Sequence, residues 1–312
     1  MTPMAATTEK QTTGVLLMAY GAAQSLEEIG PYLLDIRGGR PVSQELIDEV
    51  QERYRAMGGK SPLLSITKDQ ALALQKKLPQ AKVFIGMRHW HPYIKDTVAQ
   101  MAQEGFKKIT ALCLTPYYSK LSVEAYRSKL NEAINNLKPR PQIRLIERWH
   151  TQPLLIEAFA EKLRAALMKF PSKNKSEVAV IFSAHSLPQK ILEWKDPYPG
   201  ELLETARLVA QHAGVPPGRW YFAYQSQGRT PEPWLGPDVR EMLEQLAQRG
   251  VKNIIVDPIG FISDHMETLY DDDILYKKIA ESLGIKFVRA ESLNTSPTFI
   301  GALAAAIKQK PA

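Results

Sequence analysis

Cysteine is almost absent from this chain of 312 residues, since Cys113 is the only one. A single thiol cannot form an internal disulfide, and it excludes a multi-cysteine zinc site and a four-cysteine iron–sulfur cluster. The first apolar run, at residues 15–19, is far shorter than the apolar region of about 7–15 residues in a signal peptide. No stretch approaches the roughly 18 apolar residues of a membrane helix. We therefore expect a cytoplasmic protein without an integral membrane segment, beginning with a flexible tail at residues 1–13.

Motifs of several common enzyme classes are also missing. No G-x-S-x-G occurs, so the serines on either side of His185 do not form a hydrolase nucleophile elbow. A P-loop and a G-x-G-x-x-G are both absent. The formal charge of +7 is compatible with an anionic small molecule, a nucleic acid or an anionic surface as partner. The basic residues are scattered rather than interleaved with aromatic ones, which argues against nucleic-acid binding.

Short apolar runs alternate with longer segments of helical periodicity, and this alternation predicts βαβ units with parallel sheets. With 44% apolar residues, the chain can bury a core, so a disordered or collagen-like protein is excluded. Eight strands are predicted, four in each half of the chain, at residues 15–20, 82–85, 109–114, 143–146, 178–183, 220–224, 254–257 and 286–289. Predicted helices include residues 44–57, 68–77, 122–136, 154–169, 202–213 and 237–249.

The two halves of the chain are similar in sequence. Residues 105–119 read GFKKITALCLTPYYS, and residues 250–263 read GVKNIIVDPIGFIS. This pattern predicts two similar α/β domains, although parallel strands in general share part of it. If the first strand of each half also corresponds, Tyr20 and His185 lie at equivalent strand ends. Ligands of open α/β sheets bind outside the carboxyl ends of strands, so two such domains facing each other would place both residues in one cleft.

Two ionisable residues stand just beyond predicted strands. His185 lies in SAHSLP, and Glu267 lies in SDHMETLYDDD, where it shares a face with Asp271 if the segment is helical. One imidazole and one carboxylate suit a divalent first-row metal held with open positions, and they equally suit proton abstraction near neutral pH. As structural alternatives, His185 would cap a strand end and the acids would favour a helix start. A His-x-His at residues 89–91 is a weaker metal candidate.

Four segments together resemble the ferrochelatases: SAHSLP at 183–188, DPYP at 196–199, QSQGRTPEPWLGPDV at 225–239 and PIGFISDHMETLYDDD at 258–273. Four more resemble the branch that uses coproporphyrin III: MAYG at 18–21, IRGGRP at 36–41, RYRAMGGKSPL at 53–63 and SVEAYRSK at 122–129. The resemblance runs in order from about residue 14 to the C-terminus. It implies an α/β fold of two Rossmann-like domains, at 14–150 and 151–295, with a porphyrin in the cleft between them. A helix at 296–312 is expected to pack back on the first domain.

The resemblance also implies roles for individual residues. His185 and Glu267 match the family's inner metal-site pair, and His185 matches the proposed acceptor of pyrrole protons. Tyr20 matches the residue over the opposite face of the macrocycle, so these three are the expected catalytic residues. Positions around the porphyrin carboxylates and ring are matched by Tyr20, Arg37, Arg53, Tyr54, Ser61 and Tyr126.

The sequence departs from its relatives at a few of these positions. Gly38 stands where a second arginine is common, so one carboxylate contact is missing or is supplied by Arg40. Leu275 interrupts a series of acids that would form an outer metal site. A lysine–histidine pair of related sequences appears as Arg88 and His89, which keeps the charge. The aromatic Tyr20 favours the coproporphyrin branch, since enzymes that use protoporphyrin usually carry a non-aromatic residue at this position. The charged residues 24–40 favour it as well, since membrane-bound enzymes have an apolar lip in this segment.

The expected function is that of a lyase of haem biosynthesis, a coproporphyrin III ferrochelatase that inserts Fe(II) to form coprohaem III. The resemblance implies that iron is a substrate and that no cofactor is tightly bound. The expected partners are the porphyrin and ferrous iron, for a monomer that contacts neighbouring haem-pathway enzymes transiently. Two alternatives stay open: a chelatase of the same fold for protoporphyrin IX or a corrinoid precursor, and a non-catalytic tetrapyrrole- or haem-binding protein.

Overall fold

The computed structural model describes residues 13–135, 137–171, 177–228 and 230–309. In these ranges the chain forms two four-stranded sheets, and every strand pair is parallel. The strands are β1 Thr13–Ala19, β2 Lys82–Met87, β3 Lys108–Cys113, β4 Gln142–Ile146, β5 Ala179–His185, β6 Trp220–Gln225, β7 Asn253–Asp257 and β8 Lys286–Arg289. The predicted α/β fold with parallel sheets is confirmed. The predicted tail at 1–13 lies, apart from Thr13, outside the described residues, and the domain limits stay a prediction.

Helices cover both faces of the two sheets. They are α1 Ile29–Ile36, α2 Gln44–Ala56, α3 Leu63–Lys77, α4 Ile94–Gln103, α5 Val123–Asn135, α6 Pro153–Leu167, α7 Lys190–Glu193, α8 Tyr198–Ala213, α9 Val239–Gln248, α10 Lys277–Ser282 and α11 Pro297–Lys308, with a π-helix at Glu267–Tyr276. The C-terminal helix α11 packs against α3 and α6. Among the helices of the described ranges, none combines the length and the apolar character that a membrane span requires.

The strand order is the same in both sheets, β2-β1-β3-β4 in the first and β6-β5-β7-β8 in the second. The register agrees as well: Gly14 of β1 pairs with Ile109, while Ala179 of β5 pairs with Ile254. Ile109 and Ile254 are the two residues that the repeated sequence segments align with each other. The structure therefore confirms the internal repeat at the level of individual residues.

Successive side chains of the central strands point to opposite faces of the sheet, and they are apolar on both faces. Each sheet is therefore covered by helices on both sides. Val15 and Leu17 belong to a large apolar cluster that also contains Val180 and Phe182 of the second sheet. Side chains of α3, α6, α8 and α11 complete this cluster, so one core joins the two sheets. Leu16 points to the opposite face and packs with α4 and α5. Full burial of each such side chain contributes about 1.5–3 kcal/mol.

Buried polar side chains connect the loops at the carboxyl ends of the two sheets. The carboxylate of Asp196 accepts hydrogen bonds from the Ser119 hydroxyl at 3.1 Å and from the backbone N–H of Lys120 at 2.8 Å. Gln70 of α3 donates from Nε2 to the Ser263 hydroxyl at 2.8 Å. In each of these hydrogen bonds, the donor and the acceptor belong to different halves of the chain. The contacts therefore fix the loops of one sheet against those of the other.

Candidate active site

A cavity of about 420 Å³ lies where the carboxyl ends of the two sheets meet. Tyr20 and Arg88 enter it directly after β1 and β2. His185 ends β5, and Gly260 follows β7. Apolar side chains form much of the remaining wall, among them Leu33, Ile36, Leu63, Leu121, Leu187 and Phe261. An apolar cavity with a few polar groups at strand ends is the usual ligand site of an open α/β fold.

Tyr20 and His185 occupy the same position in the two repeated units. In the first half, Gly14 pairs with Ile109, and Tyr20 lies six residues after Gly14. In the second half, Ala179 pairs with Ile254, and His185 lies six residues after Ala179. Both side chains line the same cavity. The sequence predicted this equivalence from the repeat alone, and the strand register confirms it.

His185 is hydrogen-bonded to Glu267, which lies 82 residues away in sequence. Its Nδ1 is 2.8 Å from Oε2 of Glu267, so the ring nitrogen that carries the proton is the one facing the carboxylate. The other nitrogen, Nε2, therefore keeps its lone pair for a proton or a metal ion. The hydroxyl of Tyr198 donates to the carbonyl of His185 at 2.9 Å and holds the strand end in place.

The electrostatics of the pair favour an ionised carboxylate beside a basic imidazole. Burial acts to lower the pKa of His185, but the charge and hydrogen bond of Glu267, together with the charge of Asp271, outweigh it and raise that pKa above its usual value. Burial would raise the pKa of Glu267, yet His185 and His265 lower it to about 2. Glu267 is thus ionised at neutral pH, and His185 is a stronger base than a free histidine.

Glu267 is the first residue of the π-helix Glu267–Tyr276. Here a backbone N–H donates to the carbonyl five residues earlier, as Lys277 does to Asp272 at the end of the helix. Such helices are rare and occur frequently at functional sites. The sequence predicted only that Glu267 and Asp271 would share a face if the segment was helical, and the wider turn was not foreseen.

Asp271 is a second acid beside the pair. The Ser226 hydroxyl donates to its Oδ2 at 2.6 Å, and Nη1 of Arg53 is 3.8 Å from its Oδ1. Burial and the charge of Glu267 raise the pKa of Asp271 to about 6, although Ser226 and Arg53 act to lower it. Leu275 packs one turn further on against the apolar cluster of the second sheet. The acid series on this helix therefore ends before Leu275.

His265 is a site residue to which the sequence analysis gave no role. Its Nδ1 is 3.1 Å from the carbonyl of Ser263, so Nδ1 donates and Nε2 faces Glu267 Oε1 at 3.9 Å. Burial lowers the pKa of His265, even though Glu267 acts to raise it. A second, neutral imidazole therefore stands beside the carboxylate. Its signal was present in the sequence, since His265 lies two residues before Glu267.

The structure divides the predicted carboxylate- and ring-binding residues into two groups. Tyr54, Ser61 and Tyr126 line the cavity with Tyr20. Arg37 and Arg53 are not among the described residues that line it. Arg37 is exposed at the end of α1, and Arg53 is engaged by Glu49 at 2.8 Å and by Asp271. These binding roles stay predictions.

The His-x-His at 89–91 does not form a metal site. His89 is buried, with Nδ1 2.9 Å from Oδ2 of Asp35 and its ring 4.7 Å from the ring of Tyr20. His91 is exposed and packs its ring against Tyr93 instead. Over the described part of the chain, no group of three or more histidine, cysteine or acidic residues has the geometry to hold a metal ion. His185 and Glu267 bring one imidazole and one carboxylate together, a pair of donors that suits a divalent first-row ion.

The model of the ferrochelatase family matches residues 12–311 of this chain. The chain belongs to the ferrochelatase family. A ferrochelatase of Deinococcus radiodurans is 44% identical over 313 residues, covering 99% of both chains. A coproporphyrin III ferrochelatase of Halalkalibacterium halodurans is 42% identical over 308 residues, covering 96% of this chain and 98% of the relative. The predicted family is thus confirmed, and with it the prediction of a metal chelatase, which is a lyase.

Solved structures of other chelatases share the fold of this family member. The sirohydrochlorin chelatase SirB of Bacillus subtilis subspecies spizizenii, in complex with cobalt, superposes with a TM-score of 0.58 at 9% identity, covering 95% of this chain and 94% of that one. The structure of CbiX, described as the terminal enzyme of sirohaem biosynthesis in denitrifying bacteria, gives a TM-score of 0.55 at 14% identity, covering 96% and 100%. At such identities the likeness extends to the fold alone.

Proposed function

We propose that this ferrochelatase inserts Fe(II) into coproporphyrin III, giving coprohaem III and releasing the two pyrrole protons. The observation that carries the proposal is the His185–Glu267 pair, joined at 2.8 Å in the same apolar cavity as Tyr20. A non-catalytic carrier of a tetrapyrrole needs an axial ligand, whereas it has no need of an ionised carboxylate that raises the basicity of that ligand. The pair therefore favours an enzyme over a carrier.

His185 is the proposed proton acceptor. Its Nε2 lone pair takes a pyrrole proton as the ring nitrogen turns toward iron, and the N–H of Nδ1 stays directed at Glu267. The carboxylate stabilises the imidazolium that forms, because its own pKa of about 2 keeps it ionised. Deprotonation of the imidazolium to solvent then resets the site for the second proton.

Iron is the proposed substrate rather than a resident cofactor. Two donors from the protein leave most coordination positions of Fe(II) open, so the four porphyrin nitrogens can replace water without competition from a closed protein site. Tyr20 would cover the ring from the equivalent strand end. We also propose that the protein works as a monomer in the cytoplasm, without a tightly bound cofactor or an iron–sulfur cluster.

Coproporphyrin III is proposed as the porphyrin for two reasons. Relatives with about 40% identity over nearly the whole chain carry that substrate in their names. The exposed segment after the first strand holds Arg37 and Arg40, which suits a tetracarboxylate better than a porphyrin with two carboxylates.

Anaerobic absorbance spectroscopy tests the reaction and the substrate together. The purified protein is mixed with Fe(II) and either coproporphyrin III or protoporphyrin IX, and the metalloporphyrin bands are followed over time. We expect many turnovers with coproporphyrin III and far slower insertion into protoporphyrin IX. Stoichiometric binding without insertion would support the carrier instead, and a preference for protoporphyrin IX would overturn the proposed substrate.

The variant His185→Ala tests the proposed division between chemistry and binding. Insertion should fall at least about a hundredfold, as for loss of a general base, while the affinity for metal-free coproporphyrin III stays within about threefold. His212→Ala serves as the matched control, since His212 is a surface histidine on α8 that pairs only with Glu157 in the described structure. Loss of porphyrin binding in His185→Ala with an intact fold would contradict the assignment.

A further inference from the structure

Asn294 lies between β8 and α11, and its hydrogen bonds reach the loop that leads to Glu267. Its side-chain Oδ1 accepts from the backbone N–H of Asp264 at 2.9 Å, and its Nδ2 donates to Oδ2 of Asp264 at 2.7 Å. Its backbone N–H donates to the carbonyl of Ile262 at 2.9 Å. Three hydrogen bonds from one residue therefore hold the two neighbours of Ser263 in the chain.

The backbone of Asn294 is itself held in an uncommon conformation. Its φ is +44°, in the left-handed region, where asparagine is enriched although most residues with a side chain are rare. The carbonyl of Asn294 accepts from Nε2 of Gln70 at 2.8 Å, and Gln70 is fully buried on α3. Backbone conformations of this kind occur where the surroundings hold them, and they are frequent at functional sites. The position of Asn294 is therefore fixed through both its backbone and its side chain.

The carboxylate of Asp264 completes the contact with Asn294. Its other oxygen, Oδ1, accepts from the Ser292 hydroxyl at 2.7 Å and from Nη1 of Arg289 at 3.1 Å. Burial acts to raise the pKa of Asp264, but the hydrogen bond from Asn294 and the charge of Arg289 outweigh it and lower that pKa below its usual value. An ionised carboxylate thus has donors on both oxygens, and the two bonds with Asn294 keep it in one orientation.

The loop held in this way orients the ring of His265. The carbonyl of Ser263 accepts from Nδ1 of His265 at 3.1 Å, so Nε2 faces Oε1 of Glu267, 3.9 Å away, without a proton. With the proton on Nε2 instead, His265 would donate to Glu267 and compete with His185, whose Nδ1 is 2.8 Å from the other oxygen of that carboxylate. The direction of the Ser263 carbonyl therefore decides whether Glu267 serves one imidazole or two.

We propose that Asn294 is a positioning residue of the active site, which holds the Ser263 carbonyl against Nδ1 of His265 and so reserves Glu267 for His185. The inference rests on the proposed function, since it takes the support of His185 by Glu267 from that reaction. Asn294 is not among the described residues that line the cavity, so its effect passes through the loop rather than through the substrate. Loss of its side chain should therefore slow iron insertion and leave porphyrin binding intact.

The variant Asn294→Gly removes the side chain and keeps a residue that adopts the left-handed backbone freely. Imidazole ¹⁵N chemical shifts, recorded at one pH without metal or porphyrin, report which ring nitrogen of His265 carries the proton. We expect the proton on Nδ1 in the wild type and a mixture of both forms in the variant, because the Ser263 carbonyl is no longer held. Asn131→Gly, at an exposed position on α5, is the matched control and should give the wild-type spectrum. A wild-type His265 spectrum in folded Asn294→Gly overturns the proposal.

Steady-state kinetics of iron insertion separates positioning from binding. In Asn294→Gly, kcat with coproporphyrin III should fall about tenfold to a hundredfold, as for a small displacement of a catalytic group, while the Kd of the metal-free porphyrin stays within about threefold. Leu246→Ala is the control for lost stability alone, since Leu246 is fully buried on α9 in the apolar cluster of the second sheet. It should lower the thermal midpoint at least as much as Asn294→Gly and leave kcat within about twofold. Equal losses of kcat in the two variants would show a merely structural role and overturn the proposal.

An exchange of the two side chains supplies the conservative rescue. Asn294→Asp alone sets two carboxylates against each other and should lose as much kcat as Asn294→Gly. The double variant Asp264→Asn with Asn294→Asp again places an amide opposite a carboxylate, so its kcat should be at least about threefold above that of Asn294→Asp. The proton of His265 should return to Nδ1 as well. A double variant no better than Asn294→Asp by both measures would overturn the proposal.

The outcomes separate this inference from the proposed function. Failure of the wild type to insert iron overturns the proposed function, whereas the ¹⁵N spectra of His265 test Asn294 without any substrate. A changed His265 spectrum with wild-type kcat overturns the positioning role, while wild-type insertion stands on its own assay. Circular dichroism and the thermal midpoint confirm that each variant is folded. If Asn294→Gly does not fold, the comparison of Asn294→Asp with the double variant carries the same test.

Discussion

At the residue scale, one hydrogen bond between His185 and Glu267 sets the protonation of both groups. The pKa of His185 is higher in the folded protein than in the unfolded chain. Protonated His185 therefore stabilises the fold fully below about pH 6.5, and this stabilisation is lost as the pH rises through the pKa of the folded state. The pKa of Glu267 is lowered, so its part is present above about 4.3 and is lost as the pH falls toward 2. The pair therefore contributes its full stabilisation between about pH 4.3 and pH 6.5, the ordinary pKa values of the two groups.

Glu267→Gln should lower the pKa of His185, because burial then acts with only the charge of Asp271 against it. The ring-proton shift of His185 in an NMR pH titration measures this directly. Glu281→Gln, at an exposed position on α10, is the control and should leave the titration unchanged. A pKa of His185 that stays the same or rises in Glu267→Gln would show that the carboxylate does not hold the imidazolium.

At the scale of elements, the loop after β7 lies directly on β5. The backbone N–H of Gly260 donates to the carbonyl of Ser183 at 3.0 Å, and a Cβ built on Gly260 would be 2.5 Å from the Cβ of Ala184. Only a residue without a side chain allows this approach, since the obstacle is a neighbouring strand rather than a flexible side chain. The contact sets the distance between the His185 strand end and the segment that leads to Glu267.

Gly260→Ala should therefore destabilise the protein by about 1–3 kcal/mol, because the backbones of loop and strand have to separate. Urea denaturation followed by circular dichroism gives the free energy of unfolding. Gly200→Ala is the matched control in α8, where the added Cβ meets no atom within 4 Å. It should be neutral or stabilising by up to about 1 kcal/mol. Equal stabilities of the two variants would contradict the proposed crowding.

At the scale of the whole molecule, a buried acid occupies a position in the second sheet that is apolar in the first. Asp257 pairs with Phe182 in register, as Leu112 pairs with Leu17. Asp257 is 1% exposed, and its Oδ2 has no hydrogen-bond partner among the described residues. Burial raises its pKa to about 8, although Arg289 acts to lower it. The folded protein therefore retains a proton that the unfolded chain loses near pH 4.

Stability should fall as the pH rises from about 4 to 8, because the unfolded state binds fewer protons than the folded state in that range. Asp257 contributes a slope of up to about 1.4 kcal/mol per pH unit. Asp257→Asn should remove this contribution, as urea denaturation at several pH values can show. Asp69→Asn, at an exposed position on α3, should keep the wild-type slope. An unchanged slope in Asp257→Asn would mean that Asp257 is ionised in the folded state.

The sequence was informative where a short apolar run ends at turn residues, and all eight strands were predicted from such runs. The helix α1 was missed although Ile29, Tyr32 and Ile36 recur with helical spacing, because Gly30 and Pro31 in its first turn are typical of a loop. The π-helix was missed because its period differs from the one that sequence patterns are matched against. The chemical roles of His185 and Glu267 were inferred from their residue types beyond two strands and from the family resemblance, and they stay predictions.

Tyr20 and His185 share one strand position in two repeated units, so a flat ring bound between them, as in the proposed reaction, would meet equivalent strand ends from its two sides. Turning the ring over would leave its position relative to these two strand ends almost unchanged. The porphyrin of the proposed reaction is not symmetric, however, and its two faces present different orders of substituents. Facial selection, the choice of which side of the ring meets the imidazole, therefore falls to the polar groups at the rim rather than to the fold.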